Sequence, residues 1–502
     1  MMKIAAPVAT ALPILGLWST LTLAAQLPTV TIADGKIQGE AEGQDVVRYW
    51  GIPFAAPPVG DLRWRAPQPP RPWTGTRLAD HFGNDCMQNQ VRGRLWPHRE
   101  PPPSEDCLYL NIWSPRQAAR APVMVWIYGG GFQVGSSATT VFDGAKFAAD
   151  GVVFVSFNYR LNKFGFFAHP ALTRESHDAP LGNYAVLDQI AALKWVRANI
   201  AKFGGDPGNV TIFGESAGAM SVQYLMASPL AKGLFDKAIS ESGFGRFHLQ
   251  SFAEAQGKGK AAAASWGVKN DDPAALRAVS AKQVLGDTTM SRNGFWPMVD
   301  GKIIPRQTIE SFESGQIAHV PFIVGSNSYE IGLFPALAAG LSHKMAPVWP
   351  KVETLYDGFG SHKVDVIETQ VQTDIMLTEP TRELARAATR AGMPTYVYYY
   401  SYVNPTLRAK YPGAPHFFEV PAVFGTMTMI EPHPGPETPR VEEAMHSRWV
   451  AFAKAGTPGS WPAFGSGQEQ WLDFTATGPV VRQDLLKTRL DFAGALPAPK
   501  TN

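Results

Sequence analysis

The segment Val210-Thr211-Ile212-Phe213-Gly214-Glu215-Ser216-Ala217-Gly218-Ala219-Met220-Ser221 restricts the possible folds of this chain more than any other. A short β-rich run enters Gly-x-Ser-x-Gly, and small and apolar residues continue beyond it as a helix, the context that a nucleophile elbow requires. Such a reversal leaves no room for Cβ atoms at Gly214 and Gly218, and the helix that follows directs N–H groups and its positive dipole end at a developing oxyanion. Ser216 is therefore the candidate nucleophile. The five-residue pattern also arises by chance in long chains, so its surroundings must carry the inference.

Those surroundings are an alternation of strands and helices. Pro122 to Tyr128 and Val152 to Phe157 are continuous apolar runs of the kind found in buried parallel strands. Between Asn183 and Phe203, the residues Val186, Ile190, Leu193, Val196 and Ile200 recur at helical spacing, and Gly204-Gly205 and Asp206-Pro207 close the helix. The next strand delivers Ser216. Strands are also expected at Lys237–Ser240, Val320–Gly325 and Thr395–Tyr400. The implied class is α/β, a mostly parallel doubly wound sheet whose sites form beyond the carboxyl ends of its strands, with helical insertions forming the pocket walls. From Gln26 to about Phe82 the chain is rich in Gly and Pro and alternates at Asp45–Trp50, which suggests an antiparallel hairpin region. No Ser/Gly linker or charge block divides the rest, so residues 26–502 are expected to form one domain.

The amino terminus has a charged start at Lys3, an apolar run from Ile4 to Leu23 and a small-residue end at Ala24-Ala25, the pattern of a secretory signal spanning residues 1–25 and cleaved near Ala24 or Ala25. A retained anchor is the alternative, although Pro7, Pro13 and Gly16 make a poor spanning helix. The chain has 45 basic against 43 acidic side chains, a balance that suggests neither nucleic acid nor a polyanionic surface as partner. Its 2 cysteines, Cys86 and Cys107, would meet in an oxidising compartment after export, so a disulfide is expected, with two free thiols as the alternative.

A serine nucleophile needs a base, and the base needs an acid to fix its tautomer and stabilise the imidazolium. Glu330 follows the Val320–Val324 strand through Gly325-Ser326-Asn327-Ser328-Tyr329, which places it at the carboxyl edge. Five histidines come later: His343, His362, His416, His433 and His446. His416 is favoured because Tyr411-Pro412-Gly413-Ala414-Pro415 forms a loop beyond the Tyr-rich strand. Serine, acid, histidine is the order associated with α/β-hydrolases. Gly129-Gly130-Gly131, directly after Tyr128, supplies a side-chain-free turn whose N–H groups can approach a substrate oxygen, and the Ala217 N–H is the complementary donor.

The segments Gly51-Ile52-Pro53-Phe54-Ala55-Ala56-Pro57-Pro58-Val59-Gly60, Glu105-Asp106-Cys107-Leu108-Tyr109-Leu110-Asn111-Ile112, Gly129-Gly130-Gly131-Phe132, Asn158-Tyr159-Arg160-Leu161, Phe203 to Gly218 and Gly413-Ala414-Pro415-His416 together resemble the type B carboxylesterases, the family that includes the cholinesterases, and most closely its bacterial branch. The resemblance implies an α/β-hydrolase fold and hydrolysis of small carboxylic esters through an acyl-enzyme. It assigns Ser216 as nucleophile, Glu330 as acid, His416 as base, Gly130, Gly131 and Ala217 as the oxyanion hole, and Cys86 with Cys107 as the amino-terminal disulfide. The chain departs from the family pattern twice: Tyr128 stands where many relatives have His, and Ile331 follows Glu330 where Gly is usual. No nucleotide, phosphate or metal motif is present, so no cofactor is expected.

Three other readings compete with a general esterase: an esterase specialised for acidic, polycarboxylic side chains, hydrolysis of amides or lactams by the same groups, and a non-catalytic binding module of the same fold. The first would use Arg246 and His248, which follow the Lys237–Ser240 strand at the same end of the sheet as Ser216.

Overall fold

A computed structural model describes residues 28–89, 101–176, 182–286, 294–430, 434–465 and 467–496. The signal segment and His433 lie outside the described residues.

An eleven-stranded sheet organises the chain. In chain order its strands are β1 (Glu40–Glu42), β2 (Val46–Pro53), β3 (Tyr109–Pro115), β4 (Ala121–Ile127), β5 (Val153–Phe157), β6 (Gly205–Glu215), β7 (Lys237–Glu241), β8 (Phe322–Asn327), β9 (Thr395–Tyr400), β10 (Gln470–Thr475) and β11 (Gly478–Gln483). Their order in space is β11-β10-β9-β8-β7-β6-β4-β5-β3-β2-β1. From β5 across to β10 every neighbouring pair is parallel, while β1, β2, β3 and β11 add antiparallel margins. The chain passes from β4 to β5 on one side, then returns to place β6 on the other. This makes the carboxyl ends of β4 and β6 a topological switch point, the place where sites form in open α/β sheets. The glycine turn and Ser216 are both found there.

The continuous apolar runs arise because these strands are covered on both faces. All of Val153–Phe157 is buried. Trp126, Phe154 and Phe213 form an aromatic layer with Phe147 and Phe424. Because side chains alternate along a strand, Gly214 faces the opposite side from Phe213 and there meets helix α2 (Ala217–Ala227). Helix α1 (Tyr184–Asn199) joins that layer through Gln189 Nε2, which donates to Ser221 Oγ at 2.9 Å. Helical periodicity anticipates its start within a residue. The last turn, Ile200–Phe203, tightens to a 3-10 helix before Gly204, which has a φ of 85°.

β8 begins two residues later than the apolar run suggests. Pro321 has no N–H to give to a ladder, and regular pairing starts at Phe322, whose N–H reaches Pro394 O at 2.8 Å. Beyond β8 a 3-10 turn (Glu330–Leu333) leads into helical segments that include α3 (Val364–Thr373), a π-helical turn (Asp374–Thr378) and α4 (Glu379–Arg390). Leu377 and Met376 of the π turn pack with Ile331, Ala338 and Phe244, so the insertion between β8 and β9 lies against the loop that carries Glu330.

Candidate active site

Ser216 occupies the single residue between β6 and α2, with φ 57° and ψ −122°. A left-handed backbone at a non-glycine residue costs on the order of 1–3 kcal/mol and persists only where its surroundings enforce it. Here the enforcement is visible. The Ser216 N–H donates to Glu241 O on β7 at 2.9 Å. A Cβ on Gly218 would lie 1.9 Å from Ile127 O, and one on Gly214 would lie 2.5 Å from the same oxygen. The two glycines let the elbow press directly on the end of β4.

The turn after β4 lies against this elbow. A Cβ on Gly129 would approach Ser216 Cβ to 3.0 Å and Glu215 O to 2.8 Å. Gly130 and Gly131 have φ of 106° and 60°, and Gly130 O accepts the Gln133 and Val134 N–H groups at 3.1 and 3.2 Å. Tyr128, the first departure from the family pattern, stacks on Tyr159 with ring centroids 4.5 Å apart. Tyr159 Oη donates to Tyr128 O at 2.7 Å, so the entry to the turn is braced by two aromatic rings.

The Glu330 and His416 loops are joined by hydrogen bonds from backbone and from a side chain. Tyr329 N–H donates to Ala414 O at 2.8 Å, His416 N–H to Glu330 O at 3.2 Å, and Asn327 Nδ2 to Pro415 O at 2.8 Å. This brings His416 Nδ1 within 2.6 Å of Glu330 Oε2. The other carboxylate oxygen, Oε1, accepts Asn327 N–H and Ser242 Oγ–H, each at 2.6 Å. Three donors on one buried carboxylate hold it in a single orientation. Ile331, the second departure, is absent from the positive-φ residues and is buried against Leu377. The backbone there needs no glycine.

The other ring nitrogen, His416 Nε2, lies 3.0 Å from Glu215 Oε1. Glu215 directly precedes Ser216, so the imidazole reaches the elbow. Among the described residues no hydrogen bond joins Ser216 Oγ to the ring. Phe244 and Phe334 flank the imidazole with centroid separations of 5.9 and 6.0 Å.

Four carboxyl groups are buried in this region: Glu215 and Glu330 on the histidine itself, and Glu419 and Glu241 behind them. Burial raises Glu215 above the ordinary range and raises Glu241 well above it. Burial, reinforced by Glu215 and Glu330, pushes Glu419 up to about 8. For His416, burial acts downward, but the charges and hydrogen bonds of Glu215 and Glu330 outweigh it and set the imidazole well above its usual value. Glu419 Oε2 accepts from Asn327 Nδ2, Glu419 Oε1 lies 3.2 Å from Ser242 Oγ, and Glu241 Oε1 accepts from Trp449 Nε1 at 2.9 Å. Sequence reasoning did not single out Glu215, Ser242, Asn327, Glu241 or Glu419. Position alone could have flagged three of them: Glu215 within the serine motif, Ser242 just past a strand end and Glu419 one helical turn after His416.

The remaining candidates lie elsewhere. His343 and His362 are exposed, while His446 is buried between Val423 O at 2.7 Å and Asp150 Oδ2 at 2.8 Å. Arg246 Nη2 donates to Glu379 Oε1 on α4 at 2.9 Å, and His248 is exposed. Cys86 and Cys107 form a disulfide with an S–S distance of 2.02 Å. Among the described residues no three His, Cys, Asp or Glu side chains are grouped as a metal ion would require, and no helix is long and apolar enough to cross a membrane.

A parallel sheet with a strained serine between strand and helix at its switch point, and an acid and a histidine on later strand ends, is the α/β-hydrolase fold. The profile of the carboxylesterase family matches residues 26–354 and 361–493, and the chain belongs to that family. It is 36% identical to the fumonisin B1 esterase of Sphingopyxis macrogoltabida over 465 residues, covering 86% of this chain and 83% of that one. It is likewise 36% identical to the para-nitrobenzyl esterase of Bacillus subtilis, over 87% of this chain and 92% of the relative. A solved PNB esterase structure superimposes with a TM-score of 0.79 at 32% identity, over 92% of this chain and 99% of that chain. The carboxylesterase of Geobacillus stearothermophilus gives 0.77 at 32% identity, over 93% and 99%. The protein is a carboxylic ester hydrolase, and its substrates are small-molecule esters.

Proposed function

We propose that this enzyme cleaves esters through a Ser216-His416-Glu330 triad and an acyl-enzyme intermediate. His416 Nε2 takes the Ser216 Oγ proton as Oγ attacks the ester carbonyl. The carbonyl oxygen becomes an oxyanion held by the N–H groups of Gly130, Gly131 and Ala217. His416 then gives its proton to the departing alkoxide. Water, deprotonated by the same nitrogen, attacks the acyl-enzyme, and Ser216 leaves with the proton restored. Glu330 keeps the Nδ1 proton in place and offsets the charge of the imidazolium. The observation that supports this reading best is the 2.6 Å contact of His416 Nδ1 with the buried Glu330 carboxylate, on loops that bring the opposite nitrogen to the residue preceding Ser216.

The acidic-ester reading receives no support, because the cation it would use, Arg246, is already paired with Glu379. Residues 26–502 are taken to work as a single unit, exported to the periplasm or beyond after loss of residues 1–25, and the Cys86–Cys107 disulfide is compatible with that route. The test is labelling with a fluorophosphonate followed by peptide mass mapping. The adduct should fall on Ser216, and Ser216→Ala should abolish both labelling and chromogenic ester turnover, the latter by roughly 10⁶. A label on another serine, or an active Ser216→Ala enzyme, would remove the assignment.

A further inference from the structure

The short stretch from Asn84 to Gln88, which contains the first disulfide cysteine, is fastened to the backbone just beyond the glycine turn. Gln88 Oε1 accepts the Gly135 N–H at 2.9 Å, while Gln88 Nε2 donates to Gly135 O at 2.8 Å and to Cys86 O at 3.1 Å. One buried carboxamide thus satisfies both backbone groups of residue 135, as a neighbouring strand would. Asp85 Oδ1 accepts Ser136 Oγ–H, Asn158 Oδ1 accepts the Ser137 N–H at 3.0 Å, and Asn158 Nδ2 returns to Asn84 O at 2.9 Å. Gly135 cannot be braced by a side chain of its own. Its φ is 133°, and a Cβ there would meet Tyr128 Cδ2 at 2.5 Å and Gly129 O at 2.7 Å. Residue 135 therefore presses on the entry to the turn, and what holds it in place is Gln88.

We propose that Gln88 is a positioning residue for the oxyanion hole: through Gly135 it fixes where the Gly130 and Gly131 N–H groups point, and the Cys86–Cys107 disulfide anchors its own backbone. The proposal rests on the reading of Gly130 and Gly131 as oxyanion donors. Such donors serve the transition state more than the substrate, so a loosened turn costs turnover rather than ground-state binding.

The experiment uses the full disulfide-bonded chain with Gln88→Ala and Gln88→Met, the second keeping most of the volume while making neither bond to Gly135. With a neutral chromogenic ester, kcat should fall about ten- to a hundredfold while KM stays within about threefold, the scale expected for a small misplacement of catalytic groups. Affinity for a trifluoromethyl ketone, whose serine adduct carries an oxyanion, should fall by a similar factor. Gln88→Glu, which keeps an acceptor for Gly135 N–H but sets a second acceptor against Gly135 O and Cys86 O, should recover neither loss. Unchanged kcat and ketone affinity, in either variant that folds, would overturn the proposal, as would a variant in which only the melting temperature drops. A crystal structure of the wild-type ketone adduct keeps the two readings apart. An adduct oxygen held away from Gly130, Gly131 and Ala217 sinks the oxyanion assignment itself, whereas an oxygen on those groups with indifferent Gln88 variants sinks only the role of Gln88.

Discussion

On the β4 side of the site the described residues are a turn of three glycines, a stacked Tyr128–Tyr159 pair and the disulfide-anchored stretch whose Gln88 holds Gly135. On the β8 and β9 side it is made of ionisable side chains, with Glu330 and Glu419 packed around His416. The first side can be disturbed only by moving it, the second by moving a proton. One active site is therefore expected to fail in two separable ways, through packing and oxidation state on one side and through pH on the other.

The two sides differ most at the imidazole. His416→Ala should cost kcat about as much as loss of the nucleophile, roughly 10⁵–10⁶, because the groups of a triad act as a unit. Glu330→Gln should cost about 10⁴, as expected when the partner that fixes the tautomer is lost. Glu419→Gln should stay within a few-fold at pH 7, since Glu419, with its value near 8, already carries a proton there. Equal losses in the two glutamine variants would mean that the buried acids are not divided into one charged and one neutral group.

The two sides also differ in their response to pH. His416 must be unprotonated to accept the serine proton, and its pKa is raised, so activity should fall with acid along a limb displaced to the alkaline side of about 6.5. Glu215→Gln removes one of the charges that raise it, and the limb should move toward acid in kcat/KM profiles. A limb that stays in place, or moves toward alkali, would show that Glu215 is uncharged when the histidine titrates. On the backbone side, Cys86→Ser should lower unfolding stability by about 2–4 kcal/mol in denaturant titrations and leave the position of that limb alone. The smallest expected effect is at Arg246. With its guanidinium already on Glu379, Arg246→Ala should change KM for acidic and neutral esters alike, by less than about threefold. A selective rise for acidic esters would revive the acidic-ester reading.

The backbone side was legible because glycine and strand patterns are local. Gly214, Gly218 and Gly129–Gly131 each answer a steric demand set within a few residues, and the continuous runs at β4, β5 and β6 follow from burial on both faces. Glu330 and His416, which meet in the structure, were singled out by their position after strands, with the family resemblance adding weight. The rest of the ionisable cluster was not visible. Glu241 and Glu419 acquire their neighbours only when β7, β8 and the His416 loop assemble, and nothing in a linear string says that burial will lift these two carboxyls or that Glu330 will meet the imidazole. Arg246 shows the same limit. Its position beyond a strand offers it to the site, and the carboxylate that it pairs with sits on α4, 133 residues away in sequence.

The contact of Gly214 and Gly218 with a single carbonyl oxygen, Ile127 O, bears on how such an enzyme can be redesigned. In a randomised library these two positions should return glycine alone, however strongly a new substrate is selected for, because the obstacle is a neighbouring main chain that no compensating side-chain change can remove. Variation has to be sought in the flanking rings, such as Phe244 and Phe334, which can be trimmed or enlarged without touching the reversal. The elbow travels through a mutational search as an indivisible cassette with the end of its neighbouring strand, and diversity accumulates around it.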